Sequence, residues 1–158
     1  MVSAEFNHVT IYADDVDALV TFYQDVFGLE EIQSPNLGNP LSWLRCGDLQ
    51  LHIVNRETES PQYHHFALAV DDFEHVFRCA QEQDLFDDVI DPTPRPSLYL
   101  LPDGVVQMYI RDPAGNLVEV DWPDETTLDD SIREHIIDRS EEHTQTKAQS
   151  EARLFLDQ

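Results

Sequence analysis

His64-His65-Phe66-Ala67-Leu68-Ala69-Val70-Asp71-Asp72 is a short apolar strand led by histidine and closed by paired aspartates. An earlier stretch, Asn7-His8-Val9-Thr10-Ile11-Tyr12-Ala13-Asp14-Asp15, reads the same way. His8 matches His65, Ile11 matches Leu68, Asp14-Asp15 match Asp71-Asp72 and Gln24 matches Gln81, all at one offset of 57 residues. The chain therefore repeats itself once, with a histidine opening each copy.

Working outward, Phe6 to Ala13 alternates, with Phe6, His8, Thr10 and Tyr12 on one face and Val9, Ile11 and Ala13 on the other. Asp14 or Asp15 caps a helix carrying Val16, Leu19, Val20, Tyr23, Val26 and Phe27 at helical spacing, and Gly28 stops it. Leu29 to Ile32 starts a second strand, and Leu41 to Arg45 with Leu49 to Val54 forms a hairpin around Cys46-Gly47-Asp48. Asn55 to Gln62 is a polar linker. In the second copy, Asp71 or Asp72 caps a helix through about Gln83, with Phe73, Val76, Phe77 and Ala80 on its buried stripe. Strands are expected at Asp87 to Ile90, Leu98 to Leu101, Val105 to Arg111 and Leu117 to Val120. The proline-rich 91–97 is irregular, and Asp112-Pro113-Ala114-Gly115-Asn116 forms a turn. Each half thus runs strand, helix, then about three strands.

The closing hairpins align as well. Trp43-Leu44-Arg45 matches Tyr109-Ile110-Arg111, and after one extra residue Leu49-Gln50-Leu51-His52-Ile53 matches Asn116-Leu117-Val118-Glu119-Val120. Each half then places one donor on its first strand and one on its last: His8 with His52, and His65 with Glu119. These are nitrogen and oxygen donors of the kind that hold Fe(II), Mn(II), Ni(II), Co(II) or Zn(II). A histidine in an apolar strand can be a satisfied core residue. Glu119 is harder to explain that way, because an ionised carboxylate among Leu117, Val118 and Val120 is costly unless paired or metal-bound. His64 points away from His65 by alternation. His75, His135 and His143 read as surface residues.

Composition bounds the partners. There are 32 acidic residues against 9 basic, a formal charge of −23, and Lys147 is the only lysine. Nucleic acid and anionic membranes are excluded as partners by such a field. The acids are spread along the whole chain, which fits adaptation to a salty cytoplasm, as in a halophile, better than a dedicated cationic partner. Cys46 and Cys79 make no disulfide or zinc pattern and read as buried free thiols. No signal segment or membrane-length apolar run is present, so a soluble cytoplasmic protein is expected. After Trp122 the chain is charged and has no strand pattern. Leu128, Ile132 and Ile136 lie four apart and predict a helix over about Thr127 to Arg139. Leu154-Phe155-Leu156 closes either a second docked helix or a frayed tail. The fold class is α+β, with two βαβββ modules at about 4–56 and 63–123 in a domain spanning 1–123. An acidic helical extension at 124–158 follows.

His8 with the helix from Asp15 to Gly28, then His65 to Asp72, then Arg111-Asp112-Pro113-Ala114-Gly115-Asn116-Leu117-Val118-Glu119-Val120, resembles the vicinal oxygen chelate superfamily over about Glu5 to Trp122. That family includes glyoxalase I, extradiol dioxygenases, methylmalonyl-CoA epimerase, and fosfomycin and bleomycin resistance proteins. The resemblance implies sheets forming a cup around one divalent metal ion, within one chain or across a homodimer with exchanged modules. Family ligands carry over to His8, His65 and Glu119. For the fourth, the internal alignment selects His52, and Gln50 shares its strand parity.

Such an ion would chelate two adjacent oxygens of a small-molecule substrate and stabilise an oxyanion. The glyoxalase resemblance makes Glu119 the catalytic base. His52 stands where that pattern usually has Glu. Two histidines and a carboxylate also match the facial triad of non-haem Fe(II) oxygenases, so lyase or isomerase chemistry and ring-cleaving dioxygenase chemistry both remain open. Candidate substrate-binding residues are Thr10, Tyr12, Trp43, Gln50, Tyr99, Tyr109 and Arg95. A fosfomycin-type thiol transferase is disfavoured, since Asp121 to Asp130 contains no arginine for a phosphonate. A metal-free ligand-sequestering protein of the bleomycin-binding type is disfavoured by the intact donor set.

Overall fold

The structure is a computed structural model that describes residues 2, 4–59, 61–88 and 96–155. It is mixed α+β. The first repeat forms β1 (His8–Ala13), α1 (Val16–Phe27), β2 (Glu30–Ile32), β3 (Leu41–Cys46) and β4 (Leu49–Asn55). The second forms β5 (His65–Ala69), α2 (Phe73–Glu82), β6 (Leu98–Leu100), β7 (Val106–Arg111) and β8 (Leu117–Trp122). A one-turn α3 (Asp130–Arg133) and β9 (Ile136–Asp138) follow. The strand order β1-β4-β3-β2 recurs as β5-β8-β7-β6, and β9 is added beyond β6. The repeat read from the sequence is therefore a repeat of sheet topology.

Local chemistry accounts for both long helices. Asp15 caps α1 by accepting from Ala18 N–H, and Asp72 caps α2 by accepting from His75 N–H. Each such cap contributes about 1 kcal/mol. At the end of α1, Gly28 takes the left-handed conformation at φ 65°, where its N–H meets Gln24 O and Leu29 N–H meets Tyr23 O. The buried stripe of α2 is Phe73, Val76, Phe77 and Ala80, as the periodicity predicts. In α1 the predicted stripe is buried except at Phe27, which is only partly so, and Phe22 joins it.

Contacts divide the chain into two compact units, residues 1–66 with 111–117, and 67–110 with 118–158. In the first, α1 packs on β3 and β4, over the face carrying Ile11, Ala13, Leu44, Leu51 and Ile53. Buried Ser42 donates to Glu31 at 2.6 Å. The same unit holds a clasp at the β7–β8 turn. Asp112 is buried and accepts from Ala114 N, Asn116 N and Asn116 Nδ2, while Tyr23 Oη donates to its other oxygen at 2.8 Å. Arg111 ties the preceding linker down by donating to Pro61 O and Gln62 O.

Several expectations are corrected. The helix over Thr127 to Arg139 does not form. A 3-10 turn at Glu125–Thr127, the single turn of α3 and then β9 take its place, with Leu128 and Ile132 buried. Further on, the described tail holds only a 3-10 turn at Gln149–Glu151, so the extension is not mainly helical. Of the strand expected at Asp87 to Ile90, one bridge forms, Phe86 with Ile110. Residues 89 and 90 lie outside the described residues, as does Arg95. Phe86 and β6 both pair with β7, at Ile110 and at Gln107. Cys46 and Cys79 are free, as expected, but half-buried rather than buried. His135 is half-buried and stacks on Phe77 at 5.6 Å, not a surface residue. Among the described residues no helix is long and apolar enough to cross a membrane.

Candidate metal centre

Strand alternation decides what the first sheet shows on the face opposite α1. His8 pairs in register with Gln50, Thr10 with His52, and Trp43 with His52, so these side chains share that face. His52 is the middle of a stack. Trp43 lies 4.4 Å away at 7° and His8 lies 4.2 Å away at 15°. Burial, and secondarily the nearby His8, pushes the His52 imidazolium below its ordinary range, so the ring is held neutral.

Hydrogen bonds select the tautomers. His8 Nδ1 meets Asn7 Oδ1 at 2.8 Å, and His52 Nε2 meets Gln50 Oε1 at 2.8 Å. His65 Nδ1 meets the Tyr63 carbonyl at 2.9 Å. In each pair the oxygen can only accept, so the named nitrogen carries the proton. The other ring nitrogen is then the lone-pair donor, Nε2 in His8 and His65 and Nδ1 in His52. Thr10 is exposed beside this face. Tyr12, at the end of β1, lies under the Arg56 guanidinium at 5.1 Å and lines a cavity of about 210 Å³ with Asp14, Asp15, Thr58 and Pro113.

The second sheet carries different chemistry on the corresponding strands. Glu119 and Asp121 on β8 are buried, and Gln107 on β7 donates to both, at 2.6 Å and 3.2 Å. Tyr109, two residues along β7, also hydrogen-bonds Glu119. Burial, that hydrogen bond and the adjacent carboxylates push the phenol well up, so it stays protonated and donates. Asp121 is pushed up to about 7, by burial first and then by the charge of Glu119. Tyr99 on β6 pairs with Gln107 and packs against Tyr109 at 6.4 Å. The two buried carboxylates accept from a neutral amide and, at Glu119, from a neutral phenol, which give hydrogen bonds but no charge. A divalent cation would offset that charge density, so the donor set fits one chemically.

Of the predicted ligands, His8 and His52 are brought together. His65 and Glu119 lie on β5 and β8, which are neighbours in the second sheet. Among the described residues, no three or more His, Cys, Asp or Glu side chains gather in a geometry that would hold an ion. Trp43 and Gln50 each touch His52, and Tyr109 touches Glu119. Sequence reasoning missed Gln107 and Asp121. Their signal was a polar residue at every second position of an otherwise apolar strand.

A family model described as the Glyoxalase/Bleomycin resistance protein/Dioxygenase superfamily matches residues 5–120. The chain belongs to this superfamily. A lactoylglutathione lyase from Agrobacterium tumefaciens is 29% identical at a TM-score of 0.55, with 76% of this chain and 94% of that one covered. The oxidase ChaP-H2 is 23% identical at a TM-score of 0.60, covering 78% and 98%. A FosX variant from Listeria monocytogenes, a fosfomycin resistance protein complexed with Mn(II) and 1S,2S-dihydroxypropylphosphonic acid, is 19% identical at 0.56, covering 76% and 92%. The last two share the superfamily's fold. No curated protein matches the chain.

Proposed function

We propose that the chain is a divalent-metal-dependent enzyme that binds two adjacent oxygens of a small substrate, by lyase or isomerase chemistry or by ring-cleaving oxygenase chemistry. His8, His52, His65 and Glu119 are its ligands. One observation carries the reading: each of the three histidines has one nitrogen anchored to an oxygen acceptor, the tautomer-fixing support that metal-binding imidazoles use. The Mn(II) complex of the FosX relative supports it.

The ion, when bound, would polarise the substrate oxygens and stabilise the oxyanion formed on them. Glu119 is the proton-moving group. Gln107 fixes its Oε1, and the Tyr109 hydroxyl donates to it, so its orientation is set before substrate arrives. Trp43, Thr10 and Gln50 surround His52 and form the substrate-facing wall of the first module. Tyr99 and Tyr109 form that of the second. The functional unit in this proposal is a homodimer, which sedimentation equilibrium checks as twice the chain mass.

Elemental analysis of protein purified without added metal is the test. Wild type should carry about one ion per chain and His65→Ala markedly less. Equal metal in both, or none in either, would sink the assignment. A screen of methylglyoxal–thiol adducts against catechols, with Fe(II), Ni(II) and Mn(II), separates the two reaction classes.

A further inference from the structure

The cavity of about 210 Å³ beside Tyr12 lies where the end of β1, the start of α1, the chain just after β4 and the Pro113-Ala114 turn meet. All its lining residues belong to the first compact unit. His8 stands four residues back along β1, roughly 13 Å away at strand spacing. The backbone round the cavity is tied in place. Asn55 Nδ2 donates to Asp14 O at 2.7 Å, Asn116 Nδ2 to Tyr12 O at 3.2 Å and Arg56 N–H to Ala13 O at 3.1 Å. Its shape is therefore set before any ligand arrives.

Charge is the second observation. Arg45, Arg78, Arg133 and Arg139 each meet a carboxylate at 3.9 Å or less. Arg56 lies instead over the Tyr12 ring, 5.1 Å from its centre, and among the described residues no carboxylate pairs with it. Stacking engages the flat face of the guanidinium and leaves its N–H edge to meet a planar anion. Asp14 and Asp15 line the same cavity, yet neither comes within the 4.0 Å of an ion pair with Arg56. Asp15 is engaged in capping α1, whereas the Asp14 carboxylate has no partner among the described residues. In a chain with 32 acids and 9 bases, an arginine and an aspartate thus share one small cavity without touching. A ligand carrying both signs would complete that arrangement. Size narrows it further. The cavity is smaller than the roughly 300–1,000 Å³ of pockets for drug-sized ligands, and Leu19 and Pro113 give it an apolar wall.

We propose that this cavity binds an α-amino acid with a small apolar side chain. Its carboxylate meets Arg56, its ammonium group meets Asp14, and its side chain lies against Leu19 and Pro113. The site is independent of the metal-centre reading.

Three probes separate the parts: L-valine has both charges, L-valinamide the ammonium alone, and N-acetyl-L-valine the carboxylate alone. Titration calorimetry at pH 7 and one fixed salt concentration measures each on the full chain, as wild type, Arg56→Gln and Asp14→Asn. Both residues are exposed, so the variants should keep the wild-type circular dichroism. Wild type should bind L-valine at least about tenfold tighter than either single-charge probe. Arg56→Gln should bring L-valine down to the valinamide level and leave valinamide affinity unchanged. Asp14→Asn should bring it down to the N-acetylvaline level. The proposal is overturned if wild type shows no saturable L-valine binding, or if Arg56→Gln binds it as tightly as wild type. Binding lost in His65→Ala but kept in Arg56→Gln would be chelation by a bound ion, which also overturns it. N-acetyl-L-valine binding as tightly as L-valine would leave an anion site and remove the amino-acid assignment.

Discussion

The two modules place equivalent residues at equivalent strands and give them different physics. Trp43 on β3 supports His52 by stacking, whereas its counterpart Tyr109 on β7 supports Glu119 by a hydrogen bond. His52 is a half-buried imidazole, held neutral and stacked against an indole. Glu119 is a buried carboxylate, which needs donors around it. Gln107 and Tyr109 supply these, and β9 covers the edge of that sheet alone. The repeat sets His52 and Glu119 at equivalent places, and the different burial of the two goes with different neighbours.

The sharpest way to break that comparison is to neutralise one donor in each module. Glu119→Gln should lower Mn(II) affinity by more than about 100-fold, beyond what loss of a supporting partner costs. His52→Gln should lower it roughly tenfold. The charged donor is the buried one, so its attraction for a dication is less screened. Metal titration into the apo protein reads both, and equal losses would erase the asymmetry.

The hairpin turns give a second contrast. The first module closes β3 to β4 with Gly47-Asp48, where Gly47 takes φ 58° and Asp48 is exposed. The second closes β7 to β8 around buried Asp112, bonded to Tyr23, Ala114 and Asn116. Asp112→Ala should cost about 3 kcal/mol, lowering Tm by roughly 10 °C, while Asp48→Ala should stay within about 0.5 kcal/mol. Burial raises the Asp112 carboxyl above its ordinary range, and the hydrogen bonds from Asn116 and Tyr23 only partly oppose this. A carboxyl raised on folding binds its proton more tightly in the native state. Its contribution is therefore fully present below the unfolded pKa, and is lost as pH rises through the window up to the folded value. Asp112→Asn should keep most of the clasp and remove that slope, measured as urea midpoints across this window. An unchanged slope would assign it to other groups.

Much of this was legible because it is local. Helix caps and the buried stripe of α2 follow from spacing within about a dozen residues, and the repeat shows as a constant offset of 57. Glu119 stood out as a charge in an apolar strand. Asp121 carried the same signal but sits beside Trp122 and Pro123, where a strand end excuses a charge. Gln107 is neutral and drew no notice. β9 was illegible for a different reason. Leu128, Ile132 and Ile136 have helical spacing, yet they serve a turn, one helical turn and a strand. What makes Ile136 a strand residue is pairing with Leu98, far away in sequence.

The smallest expected effects bear most directly on the two aromatic supports. A double-mutant cycle between Trp43→Ala and His52→Ala should give a coupling of about 1 kcal/mol, the size of an aromatic stack beyond its buried area. The cycle between Tyr109→Phe and Glu119→Gln should give about 2 kcal/mol, because a hydroxyl donating to a buried carboxylate loses a charge-assisted bond. Tyr109→Phe keeps the ring and its packing against Tyr99, so only the hydrogen bond is removed. Denaturant unfolding of the apo protein measures both cycles. If the Tyr109–Glu119 coupling came out near zero, the hydroxyl would contribute nothing to holding Glu119, and the contrast between stacking and hydrogen bonding would fall. A coupling near zero at Trp43 would go further. It would make the Trp43–His52–His8 stack a consequence of strand register, and leave the hydrogen bonds to Asn7 and Gln50 as what orients the two imidazoles.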